Sequence, residues 1–426
     1  MKKSDRLSMY FDELKETMPS DKLEVYLNEN IRNIVEHAYN KAPGVKGIMD
    51  NIGLVPKDIQ DTEDLLKFPI LKKDDLIKYQ QNDPPFGCFL AAPLKTIGRI
   101  YISPGPINDP HSVPNVERIV QVFYNFGFRE GDIVLNTWSY HLVPAGCLLD
   151  DALRALGAVV IPSGVGNTER QIQIMHDLKV TGFCGTTGFL MNILKKAEDM
   201  GYEFGKDFSL EVAFVGGEMG GGPMRDIFEN EYGIVTGDAY GTADVGFLAY
   251  ECRDRSGLHF VNDAFIEIVD PKTGNRLGPG EVGEIVATPF NKGYPLIRFA
   301  TGDLSFYTDE PCSCGRTTPK LVKIVGRVGD AVRVRGMFIH RHQLDQVFNC
   351  FPEISKYQII VDRYEYRDSL TVRLELKDWD IEKTMLQESL KKRLQEICTV
   401  RPDGIEFLRE GSLREGYKAL QDQRKY

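Results

Sequence analysis

One carboxylate, Asp303, stands where a short apolar run ends in a tight turn. The run PLIRFATGD, residues 295–303, brings Arg298, Thr301 and Asp303 into one short segment. A carboxylate that follows a Thr-Gly turn can accept hydrogen bonds from both hydroxyls of one sugar, and charge-assisted bonds of this kind are about twice as strong as neutral ones. The segment alone also fits a buried strand that ends in a turn, so the interpretation depends on other parts of the chain.

A second group of residues has the composition of a metal site. Six residues separate Cys252 from His259, and Cys312 and Cys314 follow sixty residues after Cys252. Three cysteines and one histidine form a closed tetrahedral ligand set, which is the usual composition of a structural zinc site. The alternative is four unrelated reduced side chains.

Composition excludes several classes of protein. Hydrophobic residues make up 42% and charged residues 27% of the 426 residues, as in ordinary globular proteins. The formal charge of -10 argues against nucleic acid or an anionic membrane as the main partner. Because the N-terminus interleaves acids and bases and no long apolar run follows, we expect a cytoplasmic protein without a membrane-spanning helix. Eight thinly spread cysteines do not form a secreted disulfide framework.

The pattern of apolar runs predicts an α/β fold in two domains. Short apolar runs such as 133–135 and 212–215 alternate with amphipathic stretches, which indicates a largely parallel sheet. After Phe247 the pattern becomes antiparallel, with hairpin loops rich in Gly, Pro and Asn. We therefore predict a large N-terminal multi-sheet α/β domain over residues 1–326. A small mobile C-terminal α/β domain is predicted over residues 327–426.

Several motifs carry a family resemblance when they are taken in order. They are GNTERQ (166–171), GGEMGGGPMR (216–225), DAYGTADVG (238–246), the 295–303 run, the Cys312–Arg316 segment CSCGR, and GRVGDAVRVRG (326–336). Together they resemble the phenylacetate–coenzyme A ligase family of adenylate-forming, AMP-binding enzymes, over nearly the whole chain. The resemblance implies that ATP and a carboxylic acid give an acyl-adenylate, from which the thiol of coenzyme A displaces AMP.

The resemblance also implies roles for residues that would bind the nucleotide. Asp303 would bind the ribose hydroxyls, and Arg327 would contact ribose or phosphate near a hinge at Asp330. Glu218 and Tyr240 would flank the adenine, where two glycines let the backbone approach the base closely. These glycines are Gly216 and Gly217, and their alternative role is ordinary turn chemistry.

The catalytic assignments rest on the same resemblance. Lys418 would be the adenylation lysine, although its spacing from the preceding Glu-Gly is one residue longer than expected and a solvated tail lysine is the alternative. Relatives also support the zinc ligands Cys252, His259, Cys312 and Cys314. The implied cofactors are ATP or AMP, Mg²⁺, coenzyme A and structural Zn²⁺. The expected partners are a small carboxylic acid, ATP and coenzyme A, with a homodimer left open.

Three segments depart from the family pattern. The stretch YISPGPINDP (101–110) replaces a phosphate loop rich in hydroxyls and glycine. Pro104 and Pro106 lack an N–H donor, Ser103 is its one Ser or Thr hydroxyl, and no lysine follows. We therefore expect ATP to bind little more tightly than AMP, with Lys418 and Mg²⁺ on Asp244 supplying the missing charge stabilisation.

The other two departures concern the metal and the acid. Asp244 stands where a longer Glu is expected, and Ala243 lacks a hydroxyl for which Thr242 could substitute. Trp138, Tyr140 and His141 add bulk to the segment that shapes the acid pocket, where aromatic side chains either contact the acyl group or belong to the core.

Three functions follow from these observations. The first is an AMP-forming acyl–coenzyme A ligase for an aromatic or other small acid. The second is nucleotidyl transfer to an acceptor hydroxyl, as in coenzyme F390 synthetase. The third is a non-catalytic protein that binds nucleotide or acyl–coenzyme A, which the proline-containing loop favours.

Overall fold

The fold is mixed α/β and divides into two compact units. The computed structural model describes residues 6, 10–103, 107–112, 116–217, 222–328, 331–335, 337–364, 367–414 and 417–424. The first unit comprises Met1–Gly185, Ile193–Gly216 and Met224–Gly326. The second comprises Thr186–Asn192, Gly217–Pro223 and Arg327–Tyr426.

The helices of the described chain are amphipathic. They are α1 (Glu13–Glu16), α2 (Ser20–Lys41), α3 (Pro43–Asn51), α4 (Lys73–Asn82), α5 (Glu117–Phe126), α6 (Pro144–Ala155), α7 (Thr168–Asp177), α8 (Thr187–Asp199), α9 (Phe204–Asp207), α10 (Gly222–Asn230), α11 (Arg341–Phe348) and α12 (Lys383–Cys398). In α2 the spacing of Ile31, Ile34 and Val35 places all three on one face, and all three are buried. No helix in the described ranges combines the length and the apolar character that crossing a bilayer requires.

The strands form five sheets. They are β1 (Ile97–Ser103), β2 (Ile107–Ser112), β3 (Ile133–Asn136), β4 (Val159–Pro162), β5 (Gly182–Gly185), β6 (Val212–Val215), β7 (Val235–Gly237), β8 (Ala239–Thr242), β9 (Gly246–Glu251), β10 (Leu258–Phe260), β11 (Ala264–Val269), β12 (Gly283–Pro289), β13 (Phe299–Thr308), β14 (Lys320–Arg327), β15 (Ala331–Val334), β16 (Met337–His340), β17 (Ile354–Tyr364), β18 (Arg367–Leu376), β19 (Gly404–Arg409) and β20 (Leu420–Asp422). The pairs β1–β2 and β15–β16 are separate two-stranded antiparallel sheets.

Two larger sheets build the first unit. A five-stranded parallel sheet has the order β4-β3-β5-β6-β7. Its strands β5 and β6 are buried along their whole length, as expected for a sheet covered on both faces. A seven-stranded sheet has the order β11-β12-β13-β14-β10-β9-β8, and the Gly- and Pro-rich loop after β11 joins it to its antiparallel neighbour β12.

The second unit contains a mixed four-stranded sheet with the order β19-β18-β17-β20. Strands β17 and β18 form an antiparallel hairpin, and β19 and β20 add in parallel. Helix α12 buries Leu386, Leu390 and Leu394 in the core of this unit, whereas Ile397 on the same helix is only partly buried.

Arg298 has a structural partner within the first unit. Its guanidinium lies 3.1 and 3.2 Å from the two carboxylate oxygens of Glu267, and it also donates to the carbonyl oxygens of Phe68 and Gly274 at 2.9 and 3.0 Å. Both charged side chains are almost fully buried. Arg298 therefore links the start of β13 to β11. Its side chain is committed to Glu267 and does not join Thr301 and Asp303, its neighbours in sequence.

This buried ion pair gives a stability prediction. The substitution Glu267→Gln leaves the Arg298 charge buried without a carboxylate, so we expect a loss of about 3–5 kcal/mol in the free energy of unfolding. The matched control Glu63→Gln removes a carboxylate that is 74% exposed and paired with Arg276, and it is expected to change stability by less than about 1 kcal/mol. Denaturant unfolding of both variants checks the difference, and equal losses would contradict this role of Glu267.

Candidate functional site

Asp303, Thr301 and Tyr240 form a buried hydrogen-bonded group. The hydroxyl oxygen of Tyr240 lies 2.9 Å from Asp303 Oδ2 and 3.0 Å from Thr301 Oγ1. The predicted turn is wrong, because Thr301, Gly302 and Asp303 lie within strand β13, where its pairing with β12 is irregular. The backbone there fixes the carboxylate, since Asp303 donates its N–H to Thr301 Oγ1 at 3.2 Å and Gly302 has a φ of +80°. The structure thus brings together two of the nucleotide-binding residues predicted from sequence.

This contact requires a strongly curved sheet. Tyr240 lies in β8 and Asp303 in β13, and three strands, β14, β10 and β9, lie between them in the sheet order. In a flat sheet their backbones would be roughly 19 Å apart, because neighbouring strands are separated by about 4.8 Å. A tyrosine side chain does not span that distance, so curvature of the sheet creates the group.

The other predicted nucleotide residues lie in several places. Gly216 directly follows β6 and donates its N–H to the carbonyl oxygen of Gly185 at 3.3 Å. Gly217 has a φ of +80°, a conformation that favours glycine. Glu218 lies outside the described residues. The roles of these residues in binding adenine stay predictions.

The predicted hinge and lysine belong to the second unit. Arg327 is the last residue of β14 and is half-buried, and Asp330 lies outside the described residues. Lys418 precedes β20, its side chain is exposed, and its carbonyl oxygen accepts a hydrogen bond from Gln358 at 3.0 Å. Within its own unit Lys418 is therefore held through its backbone, with its ammonium group in contact with solvent.

The predicted Mg²⁺ ligand Asp244 lies in a cluster of buried charge. It occupies the turn between β8 and β9, and Lys73 Nζ, from the first turn of α4, lies 3.2 Å from Asp244 Oδ2. The other oxygen, Oδ1, is buried without a hydrogen-bond partner, as is the hydroxyl of Thr242 two residues earlier. Pairing with lysine therefore satisfies only one of the two carboxylate oxygens.

A second carboxylate, Asp109, belongs to the same cluster. Burial raises the pKa of Asp109 well above its usual range, the charge of Asp244 raises it further, and Lys73 and the Ser103 hydroxyl act in the opposite direction. Neither Ser103 Oγ nor Asp109 Oδ2 makes a hydrogen bond of normal geometry, although both are buried. The predicted phosphate-loop residue Ser103 thus faces a carboxylate.

The hairpin that carries these residues is fixed to α4. Asn108 donates its backbone N–H to Gln80 Oε1 at 2.8 Å, and its carbonyl oxygen accepts a hydrogen bond from Gln80 Nε2 at 2.9 Å. The same amide nitrogen lies 2.9 Å from Tyr294 Oη. Helix α4 therefore positions both Lys73 and the strand that bears Asp109.

The four predicted metal ligands lie together in the first unit. The ligand atoms of Cys252, His259, Cys312 and Cys314 all lie within 4.8 Å of one another. Cys252 Sγ is 3.7 Å from Cys312 Sγ, and Cys314 Sγ is 3.4 Å from His259 Nε2. Hydrogen bonds from the Cys252 thiol and from His259 lower the pKa of Cys314. The hydrogen bond between Cys252 and Cys314 raises the pKa of Cys252.

The aromatic segment that could shape an acid pocket is partly committed to internal contacts. The Tyr140 hydroxyl donates to Asp150 Oδ2 at 2.9 Å and accepts from Asn136 Nδ2 at 2.8 Å. The Trp138 ring centroid lies 6.4 Å from that of Phe214, whereas His141 is exposed. Trp138 Nε1 is buried without a hydrogen-bond partner, so Trp138 is the member of this segment with an unused donor.

Lys73 and Asp109 were missed in the sequence. Asp109 is an acid inside the stretch that replaces the phosphate loop, and this reversal of charge could have identified it as a candidate site residue. Lys73 stands in the run LKKDD at the start of α4, which has the pattern of a solvated helix terminus. No sequence signal distinguishes Lys73 from its neighbour Lys72.

Comparison with known proteins places this geometry in a family. The family model of the AMP-binding enzymes matches residues 111–289, and the model of their C-terminal domain matches residues 336–423. Phenylacetate-coenzyme A ligase of Thermus thermophilus is 32% identical over 384 residues, covering 87% of this chain and 85% of the relative. The same enzyme of Escherichia coli is 29% identical over 407 residues, covering 91% of each chain.

A solved structure supports the fold. The crystal structure of 2-hydroxyisobutyryl-CoA ligase in complex with 2-HIB-AMP and CoA matches 98% of this chain and 93% of that chain, with a TM-score of 0.91 and 23% identity. The chain belongs to the phenylacetate–coenzyme A ligase family of AMP-binding, adenylate-forming enzymes. The family, the mixed α/β fold class and the enzyme class predicted from sequence, an ATP-dependent acid–CoA ligase, are confirmed.

Proposed function

We propose that this enzyme converts a small carboxylic acid, aromatic or otherwise, to its coenzyme A thioester through an acyl-adenylate. In the first step a carboxylate oxygen of the acid bonds to the α-phosphorus of ATP, and pyrophosphate leaves. In the second step the thiol of coenzyme A bonds to the acyl carbon and AMP leaves. The observation that carries the proposal is the buried Asp303 carboxylate, oriented by the backbone of β13 and by Tyr240.

The residues divide this chemistry between them. Asp303 is proposed to accept hydrogen bonds from the ribose hydroxyls, with Tyr240, Glu218, Gly216 and Gly217 around the adenine. Arg327 is proposed to contact ribose or phosphate, and Lys418 to stabilise the charge that develops in the first step. Bound Mg²⁺ would supply positive charge to the phosphate oxygens, and Asp244 offers it an unpaired carboxylate oxygen.

The domain boundary and the location in the cell are also proposals. Residues 1–326 would form the adenylation domain and residues 327–426 a small mobile domain, with Asp330 as the hinge. The cytoplasm is proposed because cysteines kept as thiols suit a reducing compartment, and all eight cysteines are free.

A structural zinc ion is proposed at the four-residue cluster. A tetrahedral ion with Zn–S bonds of about 2.3 Å and Zn–N bonds of about 2.0 Å requires ligand atoms about 3.5–3.8 Å apart. Two of the separations, 3.7 and 3.4 Å, are close to this requirement, and the largest is no more than 4.8 Å. His259 Nδ1 lies 3.0 Å from the carbonyl oxygen of Thr318, so its N–H points there and Nε2 remains for the metal.

The zinc proposal predicts the metal content. We expect about one zinc per chain in protein purified without chelator, because the four ligands complete a tetrahedral sphere. Cys312→Ser should lose the metal, whereas Cys350→Ser, at an exposed cysteine away from the cluster, should keep it. Elemental analysis measures both. Wild-type protein without zinc, or equal zinc in the two variants, would refute the site.

The ribose assignment predicts the effect of removing one carboxylate. Asp303→Ala should weaken AMP binding more than tenfold and leave the fold intact, because hydrogen bonds to a charged group contribute roughly 1.5–3 kcal/mol each. The control Asp309→Ala removes an exposed carboxylate just beyond the same strand and should leave the affinity unchanged. Calorimetry with AMP decides, and an unchanged dissociation constant for Asp303→Ala would count against the assignment.

The role of Lys418 can be tested by separating the two half-reactions. Lys418→Ala should abolish formation of the acyl-adenylate, since an exposed ammonium is the proposed source of charge in that step. Thioester formation from a supplied acyl-adenylate should survive, because it involves no triphosphate. Lys392→Ala, at another exposed lysine of the second unit, is the control. Parallel loss of both half-reactions would show that Lys418 has a different role.

A further inference from the structure

Two carboxylates in the first unit are buried with unused oxygens. Asp109 is 3% exposed and the side chain of Asp244 is 4% exposed, and each has one oxygen without a hydrogen-bond partner. Among the described residues, Lys73 is the lysine that pairs with this cluster, through a contact with Oδ2 of Asp244. Buried polar atoms in folded proteins nearly always have a partner, so this arrangement calls for an additional positive charge.

A second feature points to a cation rather than to a further hydrogen bond within the chain. Ser103 is 1% exposed, its hydroxyl is close enough to Asp109 to act on that carboxylate, and Ser103 Oγ also lacks a hydrogen-bond partner. Thr242 adds another buried, unpaired hydroxyl two residues from Asp244. The buried atoms of these four residues that lack a hydrogen-bond partner are therefore all oxygens, which is the ligand type that Mg²⁺ and Mn²⁺ prefer.

We infer that Asp109 and Asp244 hold one divalent cation between them, with Ser103 as a further oxygen ligand. The cation would contact Oδ2 of Asp109 and Oδ1 of Asp244 directly or through its retained waters, since Mg²⁺ keeps several waters in protein sites. Lys73 would stay on Oδ2 of Asp244, which leaves Oδ1 for the metal. The proposed function assigns Mg²⁺ to Asp244 alone, and this inference adds Asp109 as a second carboxylate ligand.

This cation site rests on the proposed function, because the cation would supply positive charge to the triphosphate where the 101–110 stretch has no lysine. Asp109 without a cation supplies no positive charge to phosphate oxygens, and a bound cation would supply it at the same position. Binding of ATP would then depend on the divalent cation, whereas binding of AMP, which lacks the β- and γ-phosphates, would depend on it much less.

The test measures cation binding without ATP, acid or coenzyme A, so it does not depend on ligase activity. Zinc-replete protein is titrated with Mn²⁺ in metal-free buffer, and free Mn²⁺ is followed by electron paramagnetic resonance. The variants are Asp109→Asn, Asp244→Asn and the control Asp74→Asn, an exposed acid beside Lys73 on α4. Thermal unfolding of each variant establishes that the fold is retained.

Wild-type protein and Asp74→Asn are expected to bind one Mn²⁺ per chain with the same affinity. Asp109→Asn and Asp244→Asn should each weaken that binding roughly tenfold or more, since each removes a charged ligand. Mg²⁺ should compete for the same site. Unchanged Mn²⁺ affinity in Asp109→Asn, or no binding to the wild type, would overturn the inference and leave the ligase proposal untouched.

A charge-reversing substitution supplies a second readout. The ATP affinity of Asp109→Lys should be independent of the divalent cation, whereas the ATP affinity of the wild type should rise when Mg²⁺ is present. Wild-type ATP affinity that is the same with and without Mg²⁺ would also contradict the role of Asp109.

Discussion

Buried charge needs a partner, and this constraint shapes the first unit more than any other. Glu267 pairs with Arg298, Glu16 with Arg316, and Asp244 with Lys73, each pair joining distant parts of the chain. In the first two pairs both side chains are at most 3% exposed, so removing one partner would leave a costly isolated ion. Asp303 obeys the same rule by accepting a hydrogen bond from Tyr240, a contact that the curvature of the seven-stranded sheet makes possible. The exception is the Asp109–Asp244 cluster, where one lysine faces two carboxylates.

The sequence predicted the elements that follow from local periodicity and from ligand composition. The parallel strands and the antiparallel region after Phe247 are both present, because short apolar runs and Gly-, Pro- and Asn-rich loops mark them in the sequence. The four zinc candidates also meet in space, as their ligand types suggested. In contrast, the partner of Arg298 depends on a strand fold that local pattern does not encode. Lys73 was missed for the same reason, because its carboxylate partner lies 171 residues away.

The β1–β2 hairpin differs in charge from the phosphate loop that the family resemblance predicts at this position. It contributes Ser103 and Asp109, whose buried, unpaired oxygens can accept hydrogen bonds. Strand pairing places Asp109 opposite Tyr101 and ties the hairpin together, and Gln80 anchors it to α4. The replacement is thus a packed, hydrogen-bonded structure over its described residues.

The most direct measurement of the central claim is pyrophosphate exchange into ATP with a panel of small carboxylic acids, followed by release of AMP with and without coenzyme A. If the enzyme is an acyl–coenzyme A ligase, exchange will appear only with particular acids, and coenzyme A will then drive stoichiometric AMP release. Transfer of AMP to a hydroxyl acceptor without coenzyme A would favour the nucleotidyl transferase. Absence of exchange with every acid, despite tight AMP binding, would contradict the account and favour a nucleotide-binding protein without catalysis.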